Sequence, residues 1–129
     1  MKIHKLFVAN RAEIALRIVR TAQRMGIATV VPWHARDQHG PAVQIATETV
    51  ELIGDPPVAA WLNSQALIQA ALDTGCDAIH PGYGFLSENA DFARAVTQAG
   101  LIFVGPPADV IERMGDKITA RNFAAQHGV

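Results

Sequence analysis

Short apolar runs recur along the chain at residues 5–9, 28–32, 49–53, 77–80 and 101–104. Each is too short for a typical helix and rich in Val, Ile, Leu or Phe, the signature of a buried strand. Segments with apolar residues at helical spacing lie between several of them. Strands alternating with helices predict an α/β fold: an open, mostly parallel sheet of about five strands with helices on both faces.

The first helix has the clearest pattern. Asn10 stands where a cap is expected and Glu13 three residues later, as in a capping box. Ile14, Ile18, Ala22 and Met25 then recur near helical spacing as the predicted inward face, and Gly26 closes the run. Arg17, Arg20 and Arg24 share the opposite face, and Glu13 precedes Arg17 by the four residues that favour pairing. A second helix is expected over residues 64–74, with Leu67, Ile68, Ala71 and Leu72 inward. A third is expected over 88–99, with Phe92, Ala95 and Val96 inward. Pro41 opens a weaker, short helical pattern. Gly105-Pro106-Pro107 ends the fifth strand, and Met114-Gly115-Asp116-Lys117 separates two short helical segments. The last of these, residues 117–126, is capped by Asp116 and stopped by Gly128. The chain therefore divides into a domain over residues 1–115 and a connecting segment over 116–129.

Composition narrows the class. Half of the 129 residues are hydrophobic and 18% are charged, a folded rather than a disordered profile. The formal net charge of −1 offers no attraction to nucleic acid or to an anionic membrane. No apolar run approaches the roughly 20 residues of a spanning helix, and no signal peptide precedes the first strand. The single cysteine, Cys76, lies among small residues with no basic neighbour and reads as a passive thiol in a reducing, cytoplasmic setting.

Several chemistries are missing from the pattern. The turn after the first strand, Ala9-Asn10-Arg11-Ala12, has no glycine, so the dinucleotide fingerprint fails where it should stand. The chain has no phosphate loop, no nucleophile elbow and no self-contained catalytic constellation. Its five histidines are scattered, and no metal site is predicted.

One stretch remains: His80-Pro81-Gly82-Tyr83-Gly84-Phe85-Leu86-Ser87-Glu88-Asn89, after the fourth strand. Ligands of open α/β sheets bind at such strand ends. Gly82 and Gly84 permit close backbone approach, Ser87 can cap the next helix, and Tyr83 offers a flat ring with a hydroxyl. The same pattern suits a plain tight turn in which Tyr83 and Phe85 plug the core. Lys117, read at a helix start, places a cation where the helix field disfavours it, which hints at a bound anion.

The stretch resembles the signature of the biotin carboxylase family. Residues 9–18 (Ala-Asn-Arg-Ala-Glu-Ile-Ala-Leu-Arg-Ile) are similar to that family's opening motif, in which glycine is more usual at position 12. Trp61-Leu62-Asn63 falls where the family has tyrosine-leucine-asparagine. Phe103-Val104-Gly105-Pro106 and Met114-Gly115-Asp116-Lys117 follow at the expected places. The resemblance implies a Rossmann-like pre-ATP-grasp domain and an ATP-dependent ligase. That ligase carboxylates biotin on a carrier protein, using bicarbonate and magnesium. It further implies that Lys117 contacts ATP, that Tyr83, Gly84 and Glu88 line the biotin side, and that the helix with Arg17 and Arg20 lies at a homodimer interface. The remainder of the carboxylase and the biotin carboxyl carrier protein are the implied partners. The lid, the magnesium-binding carboxylates and the bicarbonate-binding arginine belong to parts beyond these 129 residues, so the chain alone is expected to be inactive. Two rivals stand beside this reading: the first domain of another ATP-grasp ligase, and a non-catalytic dimerisation or scaffold module. Three places depart from the family pattern: Arg24 replaces a commoner acidic residue, Ala46-Thr47-Glu48-Thr49 replaces an alanine-aspartate-glutamate run, and the loop over residues 33–40 diverges.

Overall fold

A computed structural model describes residues 2–35 and 39–128. Five strands, β1 (Lys5–Val8), β2 (Ala28–Trp33), β3 (Glu48–Glu51), β4 (Ala78–His80) and β5 (Ile102–Phe103), form one sheet in the order β3-β2-β1-β4-β5. All four pairings are parallel, with Leu6 opposite Thr29 on one side and Ala78 on the other. The helices are α1 (Ala12–Arg24), α2 (Pro41–Ile45), α3 (Ser64–Asp73), α4 (Ala90–Gln98) and α5 (Ala108–Gln126). A 3₁₀ turn over Pro57–Leu62, absent from the sequence reading, precedes α3.

The period of two along each central strand sorts side chains onto two cores. Leu6, Val8, Val31 and Ala78 pack beneath α1 and α2 with Leu16 and Val19. Phe7, Val30 and Ile79 face the other way, against α3 and α4, with Leu67, Phe92 and Val96. The expected sheet with helices on both faces is what forms, and its strands are all parallel.

Five local expectations need correction. On α3 the buried residues are Leu67, Ala70 and Ala71, while Leu72, expected inward, is 43% exposed. The buried face of α1 is Ala15, Leu16, Val19 and Ala22, while Ile14 and Ile18 are half-buried and Met25 is 69% exposed. α1 carries an unbroken Ile14-Ala15-Leu16 run, and within it Ala15 and Leu16 rather than Ile14 point to the sheet. The third helix starts at Ala90 rather than 88, because Asn89, not Ser87, caps it: the Asn89 side chain accepts from the Phe92 N–H at 2.9 Å. Residues 108–126 form one helix, not two segments, so neither Asp116 nor Lys117 stands at a helix start. Gly115 sits inside that helix with no neighbour that a side chain would strike, and a mid-helix glycine costs only about 1 kcal/mol. Asn10, finally, caps no helix; α1 has Arg11 at its N-cap and no side-chain cap.

Thr47, one of the departures from the family pattern, has a structural role. Its hydroxyl accepts from the Thr29 N–H at 3.0 Å, and the Thr29 hydroxyl accepts from the Thr47 N–H at 3.3 Å, stitching the entry of β3 to the buried start of β2. Glu48 pairs with Lys5. Of the divergent loop over residues 33–40, positions 36–38 lie outside the described residues.

Candidate functional site

In the strand order β3-β2-β1-β4-β5 the connections leave β1 and β4 in opposite directions, so the crevice between their carboxyl ends is where this architecture receives ligands. Here that crevice is closed from within. Asn10, directly beyond β1 and fully buried, donates from Nδ2 to the carbonyls of Pro81 (2.8 Å) and Tyr83 (2.9 Å), while its Oδ1 accepts from the Arg11 N–H (2.9 Å). Gly82 passes so near that an added Cβ would lie 2.6 Å from Asn10 Nδ2 and 2.7 Å from Ile14 Cγ2. Its φ of 67°, with 73° at Gly84, requires the left-handed region that glycine enters without penalty. His80 adds a second tie: its Nδ1 accepts from the Gly82 N–H at 3.0 Å, which places the ring proton on Nε2. Burial holds the His80 imidazole below its ordinary pKa, favouring that neutral form.

The loop after β4 then divides its side chains. Leu86 is buried, and Phe85 stacks on Trp61 with ring centroids 6.3 Å apart and planes 27° apart. The core-plug reading therefore holds for Phe85 and fails for Tyr83, which is 66% exposed. Gly84 and Glu88 are exposed as well. Trp61, standing where the family has tyrosine, is buried beneath the Arg11 guanidinium (5.6 Å to the ring centroid), and Asn63 of the same motif caps α3 by accepting from the Ala66 N–H.

Across from this loop runs α5. Between them lies a pocket of about 310 Å³, lined by Gly82, Ser87 and Glu88 on one side and by Ile111, Met114 and Ile118 on the other, with Pro106 and Gly115 completing the wall. Of the four predicted site residues, Glu88 thus lines the pocket, and Tyr83 and Gly84 sit in the loop that forms its rim. Lys117 does not line it; it is exposed on α5 between Gly115 and Ile118. The helix-field argument for Lys117 lapses with the continuous helix. Sequence reasoning gave no site role to Met114, read as part of a break between helical segments, or to Ile118, read in the final helix; their apolar side chains are 56% and 55% exposed. α4 and α5 are joined at the surface by Arg94, which pairs with Glu112.

Two further regions frame the site. A groove of about 380 Å³ beside the carboxyl half of α1 is lined chiefly by Ile3, Leu6, Ile18, Met25, Ile27 and Val104, with Arg17 in its wall. Arg17, Arg20 and Arg24 are exposed along α1. Among the described residues no group of three or more His, Cys, Asp and Glu side chains gathers as a metal site would require, and no helix is long and apolar enough to cross a membrane.

Residues 2–111 match the family described as "Biotin carboxylase, N-terminal domain". The chain belongs to that family. It is 49% identical over 127 residues to a biotin carboxylase of Haemophilus influenzae, covering 98% of this chain and 28% of that protein. It is 47% identical over 129 residues to the mitochondrial methylcrotonoyl-CoA carboxylase subunit alpha of Glycine max, covering 99% of this chain and 18% of that one. Its fold superposes on a complete pyruvate carboxylase from Rhizobium etli with a TM-score of 0.87 at 41% identity, over 100% of this chain and 13% of the other. The chain thus spans less than a third of the length of these relatives.

Proposed function

We propose that this biotin carboxylase amino-terminal domain supplies one wall of a composite site. There a complete enzyme would use ATP and bicarbonate to carboxylate biotin on a carrier protein. The observation that carries the reading is the division of the loop after β4. Phe85 and Leu86 anchor it in the core, while Tyr83, Gly84 and Glu88 are presented outward at the mouth of the pocket facing α5. An exposed aromatic on a backbone fixed by buried hydrogen bonds is suited to packing against a small heterocycle such as the biotin ring system. Lys117, on the helix forming the opposite wall, is assigned to an ATP phosphate, where a flexible ammonium serves as a point charge. Among the described residues Glu88 is the one carboxylate lining the pocket, so magnesium coordination is assigned to groups outside this chain. ATP would supply the energy to activate bicarbonate; these residues bind and orient.

The relatives' greater length makes the remainder of the carboxylase the first partner, and the carrier protein bearing biotin the second. Pairing of two copies through the face of α1 bearing Arg17 and Arg20, in a cytoplasmic setting, completes the proposal. The apolar groove beside those arginines supports α1 as a contact face.

The test is Tyr83→Ala in a complete biotin carboxylase that carries this chain as its amino-terminal domain. Because Tyr83 is largely exposed, its removal should leave the melting temperature within about 2 °C, a surface-type effect. The KM for biotin should rise about tenfold or more, as loss of about 1.4 kcal/mol of binding requires. An unchanged biotin KM would refute the assignment.

A further inference from the structure

We infer that Asn10 is the positioning residue that sets the biotin-side loop in this enzyme, acting on Tyr83 through the backbone without touching substrate. The inference rests on the reading of Tyr83, Gly84 and Glu88 given above and adds a residue from a different strand end to it.

A buried amide is costly unless each of its polar atoms is paired. Asn10 meets that demand in a directed way. Both donors of its Nδ2 are committed to the loop after β4, at the Pro81 and Tyr83 carbonyls, and its acceptor is committed to its own chain at the Arg11 N–H. The two carbonyls flank Gly82, so the amide holds the turn on both sides of the residue that has no side chain. Gly82 in turn fits only because it lacks a Cβ, which would strike the same amide nitrogen.

The side chain of Tyr83 is mostly in solvent, so its placement depends on where its backbone is held. Phe85 and Leu86 fix the far end of the loop in the core; Asn10 and His80 fix the near end. Asn10 is the only one of these anchors whose hydrogen bond ends on Tyr83 itself. The main-chain bond from the Ala9 N–H to the His80 carbonyl (2.9 Å) continues the sheet up to this point, so the amide extends a rigid ladder by one rung.

An aspartate has the shape of asparagine but offers acceptors where Nδ2 donates, so Asn10→Asp would turn two attractions into two repulsions. The experiment measures Asn10→Asp, Asn10→Ser and Tyr83→Ala in the complete enzyme, with KM for free biotin, KM for ATP and thermal melts for each. The positioning role requires Asn10→Asp to raise the biotin KM at least tenfold with ATP KM unchanged within twofold, and Asn10→Ser, whose hydroxyl is too short to reach either carbonyl and so removes the attraction without adding repulsion, to fall between it and the parent. Should Asn10→Asp not accumulate as folded protein, Asn10→Ser decides alone: a threefold or larger rise in biotin KM supports the role, and no rise overturns it. Biotin and ATP KM rising together, in step with a lower melting point, would mean a merely structural amide and overturn it. If Tyr83→Ala raises biotin KM and the Asn10 variants do not, positioning fails while the biotin-side reading stands. If none of the three moves it, the biotin-side reading itself has failed.

Discussion

The two walls of the pocket are built in opposite ways. The loop after β4 has no regular secondary structure, yet its backbone is held by the Asn10 amide and the His80 ring, and its Phe85 and Leu86 side chains reach the core. α5 is a regular helix of 19 residues, yet beyond Ile111 none of its described side chains is buried. Regular hydrogen bonding and tertiary anchoring are thus separate properties, and here the irregular wall is the anchored one. The anchored wall can present Tyr83 and Glu88 at fixed positions, as a binding surface needs. The helical wall offers Met114 and Ile118 to whatever packs against it, since most helix stability in proteins comes from burying an apolar face.

The sharpest way to break this contrast is to truncate one apolar side chain on each wall. Leu86→Ala should lower stability by about 2–4 kcal/mol, as deletion of a buried leucine does, whereas Ile118→Ala should change it by less than about 0.5 kcal/mol. Urea melts of the two variants measure the difference, and equal losses would mean that α5 is anchored as firmly as the loop.

A smaller effect comes from Ala12, which holds a φ of 54° at the position where the family more often has glycine. The left-handed region costs an alanine about 1 kcal/mol or more, so Ala12→Gly should raise stability by about 0.5–1 kcal/mol, read as a higher urea midpoint at unchanged slope. A lower midpoint would show that the turn beneath the loop is unstrained.

The smallest effect expected is pH-dependent. His80 takes its proton at lower pH in the folded chain than when unfolded, because burial disfavours the charged ring. The stability it contributes as a neutral acceptor for Gly82 is therefore fully present above about pH 6.5 and is lost as pH falls from there through the depressed folded value. Melts from pH 7.5 down to 5 should show a steeper loss for the parent chain than for His80→Asn, which cannot titrate. Parallel curves would remove His80 from the set of anchors.

Much of the fold was legible because its signals are local. The five strands announce themselves as short branched-apolar runs, and Ser64, Pro41 and Gly26 mark helix ends within a residue or two. What was not legible depends on partners distant in sequence. Asn10 before a helix reads as a cap, yet its hydrogen bonds go to carbonyls 71 and 73 residues away. Gly115 reads as a break, yet glycine inside a long helix is only a modest penalty that its neighbours outweigh. The phase of α1 slipped because adjacent apolar residues allow two inward faces, and only the sheet beneath selects between them. At the candidate site, Tyr83, Gly84 and Glu88 were proposed through a resemblance; the residues alone left the turn open between packing and binding. For the pocket's far wall, Met114 stood only as part of a matched motif and Ile118 not at all, since a methionine or isoleucine among charged residues has no chemistry of its own to flag as a wall.

The chain carries one cysteine, Cys76, and it lies buried at the end of α3 against the Thr74 hydroxyl, with burial pushing its thiol pKa up. To a sulfhydryl reagent at neutral pH, the folded domain is therefore nearly silent, because the thiolate is the reacting species. Any cysteine introduced on the solvent side of the glycine loop becomes a unique chemical handle. A fluorophore or spin label can then report on that loop from a single address, without first engineering the native sulfur away.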